Sequence, residues 1–413
     1  MKRELNVNHL SRVEGHGAVD IVFENERLKE IRLRFTEGPR FFEFITRERL
    51  YSEIPKIVSR ICGICYVSHR LASAFAIEDA FGVKVSREVE LLRRLLVVGE
   101  YLESHALHLY FLALPDYMGY SGAIQMAKDY PNIVKRGFRI KELGNRIMKL
   151  IGGKTVHGEN ILAGGFASFP NREALESVGN ELRSIIPELE ATLSLFDSLD
   201  YPEFTSKVSV AVSVDSKDVT EFSDAVSTSD GVRFTRKEYE LFIKEETVPY
   251  TTAKVSKLEG EPFLIGPLSR VNLHLKELHP AVKKELALLK TNFPSKNSFH
   301  SNVARAVELL NVAYRGVEIV EELLSCEPAS SEISVEPRAG TGYGVKEAPR
   351  GTLYHRYSFS EDGHCTGANI ITPTAQLQAA IESDLRNLTE TYSSVSDKEL
   401  KKLAEMLIRA YDP

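Results

Sequence analysis

The chain has 413 residues, 43% of them hydrophobic and 27% charged, with 52 Lys plus Arg against 58 Asp plus Glu for a net charge of -6. This is the composition of a large globular chain with no basic block to follow a phosphate backbone, which argues against nucleic acid as a partner. No apolar run is long enough to span a bilayer and Met1-Lys-Arg-Glu-Leu lacks the apolar core of a signal peptide, so the expected setting is the cytoplasm, without membrane contact.

Taken in order, Gly17-Ala-Val-Asp-Ile-Val-Phe and Ile31-Arg-Leu-Arg-Phe alternate around the charged turn Glu24-Asn-Glu-Arg, which predicts an antiparallel hairpin within residues 1–36. Ser11-Arg-Val-Glu-Gly-His16 sets a carboxylate, Glu14, at the mouth of the first of these strands. Glu37-Gly-Pro-Arg40 turns the chain into an expected helix over Phe41 to Leu50. From Ile54 to about Leu195, apolar residues recur at three- and four-residue intervals, a pattern of core helices. Two glycine-rich bends, Gly152 to Gly158 and Ala163 to Phe166, interrupt them and suggest backbone passing tightly by another element.

Strand-like runs such as Ser206 to Val214 mix with turns from about Asp200 to Asn272, which reads as a smaller α/β lobe. A helix follows over Ser301 to Leu324, then loops and short strands through Glu347-Ala-Pro-Arg-Gly351 and Ile370-Ile-Thr-Pro-Thr374. A last helix over Asp397 to Ala410 delivers Tyr411-Asp412-Pro413.

The stretch richest in chemistry is Arg60-Ile-Cys-Gly-Ile-Cys-Tyr-Val-Ser-His69. As a helix it places Cys62 and Cys65 on one face with His69 a turn further on. Four cysteines in so long a chain are no disulfide framework. Three readings of the pair stand side by side: metal ligands, a redox pair, which needs a preceding strand in a βαβ setting, and inert buried thiols. Glu14 and Glu43 are single carboxylates near turns, where a solvated cap is the ordinary role. Arg350 sits between a proline and a glycine, where it could simply pin a loop to a carboxylate. His16, His69, His105, His108, His157 and His355 add a group of imidazoles.

Three of these motifs, in this order, together resemble the large, catalytic subunit of nickel-iron hydrogenases: Ser11 to His16 is similar to its R-x-E-G-H, Arg60 to His69 to its R-x-C-G-x-C-x-x-x-H, and Glu347 to Gly351 to its E-A-P-R-G. The resemblance is strongest to the cytosolic archaeal sulfhydrogenase or NADP-linked branch. It implies an α+β, predominantly α fold of several lobes: an N-terminal sheet over about 1–50, a helical core over 51–199, an α/β lobe over 200–275, and C-terminal helices with active-site loops over 276–413.

By the same resemblance, Cys62 and Cys65 hold nickel, with Cys65 shared with an iron that carries carbonyl and cyanide. Glu14 is the first proton acceptor, while Arg350 and Asp412 form part of a charged canopy. Glu43 and the Ile370 carbonyl bind a magnesium or iron ion. His69, Pro373 and Thr374 support the centre without binding metal. The chain carries no iron-sulfur cluster, so the expected partners are an iron-sulfur small subunit, further subunits binding flavin and NADP, nickel- and iron-delivery proteins, and a C-terminal endopeptidase.

Two departures from the family pattern stand out. Relatives continue past the last helix as D-P-C-x-x-C, the source of two further nickel thiolates, whereas this chain stops at Asp412-Pro413 and is expected to be a truncated or immature form awaiting metal. Ser104 stands where many relatives have aspartate. The competing reading is a metal-free coupling homologue of the quinone-reductase type.

Overall fold

The computed structural model describes every residue except 1, 26, 37, 39 and 327–334, and of Lys2 only the backbone. Alternation in the first 35 residues becomes an antiparallel sheet: Gly17–Glu24 pairs with Arg27–Phe35, Val19 opposite Leu33 and Ile21 opposite Ile31. These four side chains share one face and are buried, which fixes the register. Lys2–Val7 adds a third strand on the other edge of Gly17–Glu24. Of the two turns expected around this hairpin, residues 26, 37 and 39 lie outside the described residues.

The helix expected over Phe41 to Leu50 is shorter, Phe41–Ile45. Tertiary pairing ends it: the amide of Glu48 donates to the Cys365 carbonyl (2.8 Å), the amide of Cys365 donates to the Arg49 carbonyl (2.8 Å), and Glu48 takes a φ of 62°. From Ile54 onward the helical spacing is followed. Arg87–Leu107, Pro131–Gly152 and Arg172–Asp197 pack with Ser301–Ser325 around buried residues such as Leu92, Leu96, Ile147, Leu189 and Val307. The glycine-rich bends do bring backbone together, since a Cβ on Gly158 would stand 2.3 Å from the Gly152 oxygen.

Between residues 200 and 275, Val210–Val214, Ala225–Thr228 and Arg233–Thr235 form an antiparallel sheet with Phe263–Leu264 parallel on its edge, while Ile243–Thr247 pairs with Lys254–Leu258. The run that alternates from Ser206 becomes a strand only at Val210. Ser206 is drawn elsewhere, its amide donating to the Lys296 carbonyl (2.8 Å) and its hydroxyl to Asp384 (2.7 Å). Val212, Phe263, Leu33 and Leu407 fall in one apolar cluster, so these strands share a core with the N-terminal sheet and the last helix.

Loops and short strands were expected after Leu324, through Glu347 to Gly351 and Ile370 to Thr374. The structure instead has a three-stranded antiparallel sheet, Gly340–Ala348, Gly351–Phe359 and Cys365–Ile371, with Arg350 in its first turn, followed by a helix Pro373–Thr391 that the sequence patterns above do not signal. Helix Tyr66–Phe81 lies directly on this sheet. A Cβ on Gly344 would stand 2.1 Å from the Ala72 oxygen, so glycine is what lets helix and strand approach. The helix that begins at the cysteines is thereby set against the sheet whose turn carries Arg350. No described helix is long and apolar enough to cross a membrane.

Candidate metal centre

Cys62 and Cys65 are not on a helix. A 3-10 turn, Ser59–Ile61, leads to Cys62 in an extended conformation (φ -142°, ψ 132°), and Cys65 is the N-cap of helix Tyr66–Phe81. Gly63-Ile64 folds the chain back, so the two Cα atoms lie 5.4 Å apart and the sulfurs, bonded to each other as a disulfide, are brought together by a loop rather than by helical spacing. The Cys65 amide donates to Cys62 Sγ at 2.9 Å, and the helix N-terminus points its partial positive charge at the pair. What precedes the pair is helix Ile54–Val58 and the 3-10 turn, not the strand of a βαβ redox motif.

Both cysteines line a cavity of about 390 Å³, together with Glu14, His16, Arg60, His69, Arg350 and Thr372 to Thr374. Glu14 comes from the loop between the first two strands. That loop is tied down from two sides: Arg12 donates to the Leu112 carbonyl (2.7 Å) and pairs with Asp116, while Arg409 of the last helix donates to the Ser11 carbonyl (3.1 Å) and to Asp116 (2.6 Å). Glu14 Oε1 comes within 3.8 Å of where a Cβ on Gly63 would stand, which sets the carboxylate beside the cysteine loop.

Arg350 occupies the turn before Gly351, whose φ of 146° and tight contact with Ile265 admit only glycine comfortably. Arg270 grips this turn, donating to the carbonyls of Ala348 and Pro349 (both 3.0 Å) while paired with Glu308 (2.6 Å) and Glu347 (2.8 Å). Arg350 itself lies 3.2 Å through Nε from Asp412 Oδ2, and its Nη1 is buried with no hydrogen-bond partner in the structure. Burial raises the Asp412 pKa, but Arg350 and Arg305 outweigh it and the carboxyl ends below its ordinary value. Arg305 also donates to the carbonyls of Ala410 (2.6 Å) and Tyr411 (3.1 Å), which pins the segment that presents Asp412.

Among the described residues no group of three or more His, Cys, Asp or Glu side chains is arranged to hold a metal. The fit to a thiolate-bound metal rests on two sulfurs on a cavity wall, facing a buried guanidinium with an unpartnered nitrogen. The expected magnesium or iron ion at Glu43 and Ile370 meets a different donor set. Both Glu43 oxygens accept from the Lys254 ammonium (2.8 and 3.0 Å), Glu245 accepts from it at 3.0 Å, and Ile370 turns its amide N–H toward Glu43 (2.8 Å). Burial lowers the Lys254 pKa but the two carboxylates outweigh it and raise it, so the Lys254 ammonium is the cation paired with this cluster in the structure.

Pro373 and Thr374 open helix Pro373–Thr391, capped by Thr372, and both line the cavity. The buried Ser104 hydroxyl finds no hydrogen-bond partner.

Residues 40–136 match the family model for nickel-dependent hydrogenases. The chain is 36% identical over 411 residues to sulfhydrogenase 1 subunit alpha of Pyrococcus furiosus, covering 99% of this chain and 96% of the relative. Against sulfhydrogenase 2 subunit alpha of the same organism the identity is 39% over 412 residues, with 99% and 97% covered. The chain belongs to the nickel-dependent hydrogenase family. Its fold is that of the family's large subunit: a crystal structure of an NAD+-reducing [NiFe]-hydrogenase in the H2-reduced state superimposes with a TM-score of 0.87 at 26% identity, covering 100% of this chain and 98% of that one. This hydrogenase is therefore an oxidoreductase, the catalytic large subunit of a nickel-iron enzyme, and the metal-free coupling reading falls away.

Sequence reasoning missed Lys254 and Glu245, which carry no motif, and the partners of His355. The only available signal for the latter was a histidine two residues from a tyrosine within one strand, on the same face.

Proposed function

We propose that this hydrogenase cleaves dihydrogen heterolytically, and forms it in the reverse direction, in the cavity walled by Cys62, Cys65, Glu14 and Arg350. One observation carries the reading: a cysteine pair, a carboxylate and a guanidinium from three distant parts of the chain face the same cavity. Cys62 and Cys65 would hold a nickel-iron pair with carbonyl and cyanide on the iron, which would supply a soft, electron-rich centre for the two electrons of dihydrogen.

The chain's own groups account for the rest. Cys62 and Cys65 would hold the metal as thiolates, the form in which cysteine binds it. The Glu14 carboxylate accepts the proton and carries it from the cysteine loop. Arg350, held by Asp412, keeps its remaining donors for the space between it and the sulfurs and orients what enters there. Pro373 and Thr374 line the same cavity. Electrons leave through a separate small subunit with iron-sulfur clusters, since Cys326 packs against the helical core and Cys365 in the cluster around Phe81, too scattered to ligate one here. From there they pass to NADP or a similar carrier through flavin-binding subunits, in the cytoplasm, after nickel- and iron-delivery proteins and a C-terminal endopeptidase have matured the site.

Glu14→Gln tests the reading. Exchange of dihydrogen with solvent protons falls by about 10² to 10⁴, the usual worth of a general base, with nickel content unchanged. Undiminished exchange would place the base elsewhere and overturn the assignment.

A further inference from the structure

A second cavity, of about 440 Å³, lies between Arg12, the chain from Asp116 to Ser121 and the last helix, Asp397–Tyr411, and it shares no lining residue with the cysteine cavity. Its wall carries five cations, Arg12, Lys398, Lys401, Lys402 and Arg409, against two carboxylates, Asp116 and Glu405. The pairing is uneven. Arg12 pairs with Asp116, while Arg409 donates to the same carboxylate (2.6 and 3.1 Å) and to Glu405 (3.2 Å), so the two arginines use up both acids.

The excess of three positive charges belongs to the lysines. Lys398, Lys401, Lys402, Glu405 and Arg409 recur at three- and four-residue intervals and form one helix face. The other acids of this helix do not relieve them: Asp397 is paired with Arg3, and Glu399 falls a quarter-turn off the face and does not line the cavity. Like charges at such spacing oppose the helix that carries them, so the arrangement gains nothing for the fold. Arg12 adds an unmet donor. Its two outer nitrogens bond the Leu112 carbonyl and Asp116, but its Nε is buried without a hydrogen-bond partner.

We propose that this cavity binds a small polyanion bearing two or more phosphoryl groups. Its volume is that of a small-molecule site, and two phosphoryl groups bring about three negative charges near pH 7, which matches the excess on the wall. Phosphoryl oxygens accept from lysine and arginine alike. The ligand would also meet the two arginines that fix the start of the Glu14 loop, since Arg12 holds the Leu112 carbonyl and Arg409 the Ser11 carbonyl. Any effect on dihydrogen exchange rests on the proposed function; the binding does not.

The test is calorimetric titration of the full-length chain with inorganic pyrophosphate. Binding is saturable at one site per chain and weakens as salt is added. Lys398→Gln with Lys402→Gln, both on exposed side chains, weakens it about tenfold, whereas Lys283→Gln with Lys284→Gln, an equal loss of charge on another helix, leaves it unchanged. A Kd weaker than about 1 mM overturns the proposal. So does equal weakening by the two double variants, which would show attraction to the chain's charge at large. Citrate binding as tightly as pyrophosphate overturns the preference for phosphoryl groups, and tighter binding of an oligoglutamate peptide assigns the surface to an acidic protein segment instead. No readout involves dihydrogen, so failure here leaves the hydrogenase reading intact, and the reverse.

Discussion

Arg350 Nε stands 3.2 Å from Asp412 Oδ2, joining the hairpin turn Pro349-Arg350 to the end of the last helix, with 4% and 2% of the two residues exposed. A pair so enclosed has given up its hydration, and each charge is tolerable only because the other is there. The same contact holds the Arg350 side chain on the cavity wall, so stability and site geometry depend on one interaction.

Replacing Asp412 by Asn leaves the guanidinium without its counter-charge and costs about 3 to 5 kcal/mol, read from the urea midpoint. The folded carboxyl titrates below its ordinary 3.8. Its contribution is therefore complete above that value and is lost as pH falls through the lower folded pKa. The gap between the parent and Asp412→Asn stays level from pH 7 to 5; a gap that closes within that interval would show that the folded carboxyl is not held below its ordinary value.

Burial holds His108 down to about 3 and His105 to about 4, against an ordinary 6.5. Below 6.5 the unfolded chain binds protons that the folded chain refuses, so stability falls with falling pH from there. The urea midpoint is lower at pH 5 than at pH 7. His108→Gln, which keeps a donor for the Arg409 carbonyl that His108 Nε2 meets at 2.6 Å, narrows that difference. Equal pH dependence in parent and variant would exclude His108 as a source.

Lys254 sits between Glu43 and Glu245 as the cation of that cluster. Lys254→Met leaves two carboxylates facing each other beside Asn369, an oxygen-rich set of the kind that attracts a hard divalent ion. Manganese binding, followed by its electron paramagnetic resonance, is absent from this cluster in the parent chain and gained in the variant. A manganese signal in the parent that Glu43→Gln abolishes would restore the cluster as a metal site.

Gly344→Ala puts a methyl 2.1 Å from the Ala72 oxygen, and backbone must move. Overpacking of this kind costs about 1 to 3 kcal/mol. Since the displaced helix begins at the cysteine loop, nickel retention by the reduced chain falls along with stability. An unchanged urea midpoint would mean that helix and strand are less closely apposed than this.

The N-terminal hairpin was legible because alternation with one buried face leaves a single register, and the long helices because their apolar spacing is unambiguous. Phe41 to Leu50 misled because Glu48 and Arg49 bond to Cys365, a residue far along the chain that no local pattern announces. Strands Gly340–Ala348 and Gly351–Phe359 were underestimated for the same reason: Gly340, Gly342 and Gly344 look like loop glycines until the helix lying on them is known.

At the site, the residue types and their order were set locally. Cys62 and Cys65 lie three apart, so they can meet in a loop or on a helix, and Arg350 between a proline and a glycine belongs to a turn in any fold. That much the chain determined by itself. Only the tertiary structure decided that the cysteines meet before the helix rather than on it, that Asp412 answers Arg350, that Lys254 fills the cluster at Glu43, and that Asp116 answers both Arg12 and Arg409. Each of these pairs residues from different elements, and the burial that makes such pairings strong arises only when the elements pack.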